Sequence, residues 1–186
     1  MRQFIIAESE ADFTSHAGLG LIGLALERYT DLAADATAVT PLRCDAISHR
    51  DVLSCYVAML CVGKSDFEAI EPVREDRFFK EALGLSKVPG AVWLRQRLDA
   101  KAGALRELTD ELSLRLLART EAPITPHKGY ACVDIDTFAM DNGGTAKEGV
   151  GRTYAGVDGY CPLASYIGPP FRPSLRLVMS MSDRCQ

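Results

Sequence analysis

The chain has 186 residues, of which 47% are hydrophobic and 25% charged, with a formal net charge of −4. That length suits one ordinary domain or two small ones, and the balance is globular, which excludes collagen-like and wholly disordered chains. The longest apolar runs, 19–26 and 52–62, are interrupted and fall short of a bilayer span, and MRQFIIAESEAD turns acidic too early for a leader. No membrane partner and a cytoplasmic location are therefore expected.

Helical periodicity fills the first 120 residues. Ala17–Tyr29 sets Leu19, Ile22, Leu26 and Tyr29 at three- and four-residue steps. Ser48 followed by Asp51 is a capping-box-like start, and Val52, Tyr56, Met59 and Leu60 continue an apolar face to a stop at Gly63. Ser65 and Glu68 repeat the signal for a short helix that Pro72 should end. Arg77–Leu83 closes at Gly84. Pro89–Asp99 opens on a proline and has Val92, Leu94 and Leu98 as its apolar residues. Ala104–Leu117 is the clearest helix, with Leu105, Leu108, Leu112 and Leu116 in register.

A break follows at Thr120–Gly129, which carries two prolines and a glycine, and helical periodicity does not resume. Tyr130–Phe138 alternates in the manner of a strand, and Asp141–Gly144 is turn chemistry. Further strands are expected at Arg152–Val157, Cys161–Ile167 and Ser174–Met181 as a β-meander. The expected class is α+β in two parts: a helical domain over 1–120 and a strand domain over 121–186.

Charge is distributed unevenly. Residues 74–106 hold eight basic and four acidic side chains, whereas 1–73 hold five and eleven. A basic stretch in an acidic protein is either a phosphate-facing surface or a solvated helix face of mixed charge. Within it, Lys87, Arg95, Arg97 and Lys101 are the candidate DNA-contacting residues. Arg97 and Lys101 share a helix face, while Arg95 points elsewhere. Trp93 reads as a core anchor or as a base-stacking platform. The six cysteines show no CxxC spacing and no metal-ligand spacing to the three histidines, so a structural role is expected for them.

The chemistry-bearing segment is Val133-Asp134-Ile135-Asp136-Thr137. Carboxylates at i and i+2 on a strand point to one face. If Asp136 is buried there, it needs a partner or a cation, and Mg²⁺ suits few carboxylates and a phosphate substrate. The alternative is a pair of solvent-facing aspartates.

Residues 131–167, ACVDIDTFAMDNGGTAKEGVGRTYAGVDGYCPLASYI, resemble the insertion-sequence transposases with a group-one DDE domain. The resemblance lies in the strand ending in Asp-x-Asp, in Lys147-Glu148-Gly149, and in the run from Tyr154-Ala155-Gly156 to Pro162-Leu163. TSHAGLGLIGLALERYTDLA, the block starting SHRDVLSCYVAML and VPGAVWLRQRLD are similar to the family's helical portion in the same order. The resemblance implies an RNase H-like core whose first strand carries the first catalytic Asp, here Asp136, or else Asp134. It further implies Mg²⁺ held at Asp136, insertion-sequence end DNA as partner, a homodimer as a further candidate, and association with the nucleoid. The family's chemistry is phosphodiester hydrolysis and strand transfer on two metal ions. It needs a further Asp and Glu, yet Glu148 is the last glutamate, and Asp183 is the one acid beyond the third expected strand. The resemblance is thus to the N-terminal part of a transposase with an incomplete core. The competing reading is a non-catalytic helical module, either reading DNA through residues 65–101 in the manner of a helix-turn-helix or binding protein.

Overall fold

A computed structural model of the chain describes residues 14–38, 47–121, 126 and 128–167. The fold is mixed α+β. The α-helices are α1 (Leu19–Tyr29), α2 (Leu32–Ala38), α3 (His49–Cys61), α4 (Arg77–Ala82), α5 (Ala91–Ala100) and α6 (Ala102–Arg119), with a 3₁₀ helix at Phe67–Val73. Five short strands follow: β1 (Val133–Thr137), β2 (Met140–Asp141), β3 (Gly151–Arg152), β4 (Asp158–Tyr160) and β5 (Leu163–Ile167). The chain divides into two compact units, Met1–Leu116 and Leu117–Gln186.

Local chemistry sets the helix ends. Ser48 Oγ accepts the Asp51 N–H at 2.9 Å to open α3, and a carboxylate oxygen of Asp76 accepts the Phe79 N–H at 3.0 Å to open α4. Both helices close in the same paired pattern. Gly63 and Lys64 donate to the carbonyls of Leu60 and Met59, and Gly84 and Leu85 donate to those of Glu81 and Lys80. The turn between them departs from expectation. The Ser65 start is not used, and Pro72 lies inside the 3₁₀ helix instead of ending an α-helix. Proline has no N–H for an i→i−4 bond, so the segment keeps tighter bonds such as Arg74 N–H to Glu71 O at 3.4 Å. Two more differences concern α2, which the periodicity does not announce, and α5. The latter starts after Gly90, two residues beyond Pro89, with Val92 exposed.

The helical unit packs around two apolar clusters. One joins Leu19 of α1, four residues of α3 (Val52, Cys55, Ala58 and Met59), Ile70, Phe79 and Leu94. The other joins Leu32 and Ala36 of α2, Leu53 of α3, and Leu105, Leu108 and Leu112 of α6. Leu98 packs against both. Each large apolar side chain among them contributes about 2 kcal/mol by leaving water. α1 meets α4 closely at Gly23, where an added Cβ would overlap the Ala82 carbonyl oxygen.

The strands do not form the expected meander. β1 pairs antiparallel with β5, while β4 lies between β2 and β3 in a separate three-stranded sheet. Turns decide this pairing. Asp141 Oδ1 accepts from Gly143 N–H at 2.8 Å, turning the chain after β2. The expected strand over 152–157 is mostly a turn instead, because the Thr153 N–H and hydroxyl both donate to the Val157 carbonyl, at 2.9 and 2.8 Å. That reversal places β4 beside β3. In β4, a Cβ at Gly159 would overlap the Met140 carbonyl oxygen, so the β2–β4 approach needs a glycine. The expected strand Ser174–Met181 lies outside the described residues, as do Cys44, Pro123, His127 and Cys185.

Candidate functional site

Two places carry functional side chains, one in each unit. In the helical unit, several cations of the 74–106 stretch are tied to carboxylates. Arg74 pairs with Glu71 at 3.1 Å, Arg77 with Glu81 at 3.6 Å, Lys80 with Glu75 at 3.2 Å and Arg95 with Glu68 at 2.6 Å. The Arg95 guanidinium also sits 5.3 Å from the Phe67 ring centre. Arg95, a candidate DNA contact, is therefore committed to bracing α5 against the 3₁₀ helix.

Arg97 and Lys101 are placed differently. The Arg97 guanidinium stacks on Trp93 one turn earlier, 4.4 Å from the ring centre. Lys101 is the C-terminal cap residue of α5, its N–H donating to the Arg97 carbonyl at 3.2 Å. Among the described residues no carboxylate lies within ion-pair distance of either, nor of Lys87. Lys87 is exposed just before the buried Val88 and Pro89, and its backbone N–H donates to Asp51 Oδ2 at 3.4 Å.

The helical unit also buries a residue to which metal-ligand spacing gives no role. His49, the first residue of α3, is 1% exposed, and neither ring nitrogen has a hydrogen-bond partner. Burial, then the Arg97 guanidinium and the Lys101 ammonium, hold its protonation below the ordinary histidine range. Its place on the buried face was legible: His49, Val52, Leu53 and Tyr56 step along one helix stripe at i, i+3, i+4 and i+7. Asp51 is also 1% exposed; Arg50 Nη1 lies 3.5 Å from its Oδ1, which, like the ring nitrogens of His49, makes no hydrogen bond. Arg50 in turn donates to the carbonyls of Leu83 and Gly84. Burial and then Asp51 push the Cys55 thiol up to about 12, which removes it as a nucleophile near neutral pH.

In the strand unit, Asp134 and Asp136 stand on β1 opposite Tyr166 and Ala164 of β5. Both are exposed. Asp136 Oδ1 accepts only a local bond, from Thr137 N–H at 2.8 Å. The condition that would demand a cation, a buried Asp136, is not met. Asp141 caps its turn, Asp158 pairs across the strands with Arg152 at 3.2 Å, and Glu148 takes part through its backbone carbonyl, which accepts the Tyr160 hydroxyl at 2.6 Å. Lys147 donates to Asn142 Oδ1 at 2.8 Å. Among the described residues no three His, Cys, Asp or Glu side chains gather as a metal would require. A two-carboxylate strand does not fit a two-metal centre by itself, so no chemical step follows from these residues alone. No helix among the described residues is long and apolar enough to cross a membrane.

Compared with known protein families, curated proteins and solved structures, the chain matches none.

Proposed function

We propose that the chain holds duplex DNA for an insertion-sequence transposase of the group-one DDE class, with residues 133–167 as the opening strands of its RNase H-like core. One observation supports this reading. Two of the segments that carry the resemblance, Asp134-Ile135-Asp136-Thr137 and Pro162-Leu163, lie side by side although Pro162 is 25 positions beyond Thr137. Thr137 is opposite Leu163, and the Phe138 N–H donates to the Pro162 carbonyl at 3.4 Å. In this reading Arg97 and Lys101, with Lys87, meet the phosphate backbone, and insertion-sequence ends and a second copy of the chain are the partners. Asp136, with Asp134 beside it, would hold Mg²⁺ once further carboxylates complete the site. Bound there, the metal would supply charge stabilisation at the scissile phosphate.

The test is duplex binding across a salt series. Binding should weaken with salt, and the Arg97→Ala, Lys101→Ala double variant should flatten the slope by about two units, one per lost phosphate contact. With Mg²⁺ or Mn²⁺ the chain should not nick end DNA. No binding at low salt, or a slope unchanged in the double variant, would defeat the DNA-holding role. The second reading, a helical module that binds protein, draws on the ion pairing of Arg74, Arg77, Lys80 and Arg95, which neutralises much of the basic stretch.

A further inference from the structure

We propose that the free edge of β1 receives an extended segment of another protein, one that alternates lysine or arginine with apolar side chains, whether or not the chain holds DNA. β1 pairs with β5 alone, so in this two-stranded sheet its other edge is unpaired among the described residues.

The ladder identifies which backbone groups face that edge. In antiparallel pairing, alternate residues bond to the neighbouring strand, and the others present their N–H and C=O groups outward. The Phe138 N–H donates to the Pro162 carbonyl at 3.4 Å, continuing the β1–β5 ladder. Asp134 and Asp136 are then the bonding positions, and Val133, Ile135 and Thr137 face outward. Thr137 is already served. Its N–H donates to Asp136 Oδ1 at 2.8 Å, and its carbonyl accepts the Tyr154 hydroxyl at 3.2 Å. The outward groups of Val133 and Ile135 have no such partner among the described residues. Tyr154 therefore closes one end of the edge, and the rest is open to main-chain pairing.

Side chains set what can pair there. Val133 and Ile135 are 55% and 66% exposed on one face of the strand. Asp134 and Asp136 are exposed on the other, and among the described residues neither has a cation within ion-pair distance. Residues directly opposite in a sheet share a face, so a segment laid along this edge repeats the alternation. It sets apolar side chains beside Val133 and Ile135, and cations beside the two aspartates. A second β1 is a poor occupant: with Ile135 opposite Ile135, each Asp134 meets an Asp136, and like charges facing each other disfavour pairing. Main-chain bonds supply the affinity here, and the aspartates supply the choice of partner.

NMR titration of the isotope-labelled full chain with two capped peptides as long as β1 tests this. One alternates valine with lysine, the other valine with glutamate. The lysine peptide should shift the Val133 and Ile135 amide resonances more than those of Asp134 and Asp136, and should bind about tenfold more tightly than the glutamate peptide. Asp134→Lys with Asp136→Lys should invert that order. Ile135→Pro, which removes an outward N–H, should abolish binding while cross-strand contacts between β1 and β5 persist. Should the proline disturb β1, the charge-reversed variant still decides. Equal affinity for the two peptides, an order that survives charge reversal, or no amide shift with either peptide overturns the proposal. So does a natural chain that dimerises through β1. None of these outcomes touches duplex binding, which is measured separately.

Discussion

An imidazole buried without a hydrogen bond ties the stability of the helical unit to pH. Folding makes His49 harder to protonate than it is in the unfolded chain, so the unfolded state takes up the proton first. Its contribution is complete above about pH 6.5 and declines as pH falls through the interval between the unfolded and folded values. Urea midpoints measured across that interval should fall in the natural chain and stay flatter in His49→Gln; equal declines would remove His49 as the cause. Glu68 and Glu71 are exposed, and backbone hydrogen bonds foremost hold them below the usual carboxylate range. They act at lower pH, which keeps the two effects separable. Thiol chemistry gives a second check at this scale. Cys55 should resist a thiol reagent near pH 8 until the chain unfolds, whereas exposed Cys61 reacts at once. Fast modification of Cys55 in the folded chain would mean that the α3 core opens readily.

At the level of elements, close approaches are the sharpest constraints. Gly23→Ala should destabilise the helical unit by about 3 kcal/mol, because the new methyl meets backbone that cannot swing aside. A melt within about 0.5 kcal/mol of the natural chain would show that α1 and α4 separate easily. Helix boundaries were legible in the sequence where their signals are local: Ser48 and Gly63 mark the ends of α3, and Gly84 the end of α4, within a few residues. α2 was missed because LAADATA has little amphipathic pattern, and the chain enters it through a turn in which the Thr30 hydroxyl accepts the Leu32 N–H at 3.3 Å. Strand pairing was less legible still. The alternation in Val133–Thr137 announces a strand but not its partner, and β1 meets β5 only because the intervening turns fold β2, β3 and β4 into a sheet of their own.

Across the whole molecule, the chain divides into two compact units after Leu116, inside α6. The candidate site was legible only as a choice of residues. Charge counts pointed to Arg95, Arg97 and Lys101 together, yet Glu68 lies 27 positions from Arg95, and such long-range pairing leaves no trace in composition. In the same way Asp134 and Asp136 were legible as a same-face pair. Their exposure was not, since it depends on what packs against the strand and not on the strand itself.

That exposure has a colloidal consequence. Val133 and Ile135 are 55% and 66% exposed on one face of β1, and the two aspartates stand on the other. β1 itself is exposed along both faces, and exposed β-branched side chains on a short strand invite another copy to stack there. Two like charges every few ångströms along the strand oppose in-register stacking, whatever else they do. Asp134→Asn with Asp136→Asn should therefore shorten the lag of aggregation at neutral pH, and Ile135→Thr should lengthen it, as followed by light scattering. An unchanged lag in the double variant would mean that β1 is shielded in solution. The same two carboxylates thus have a task that requires no metal, which is to keep copies of this strand apart.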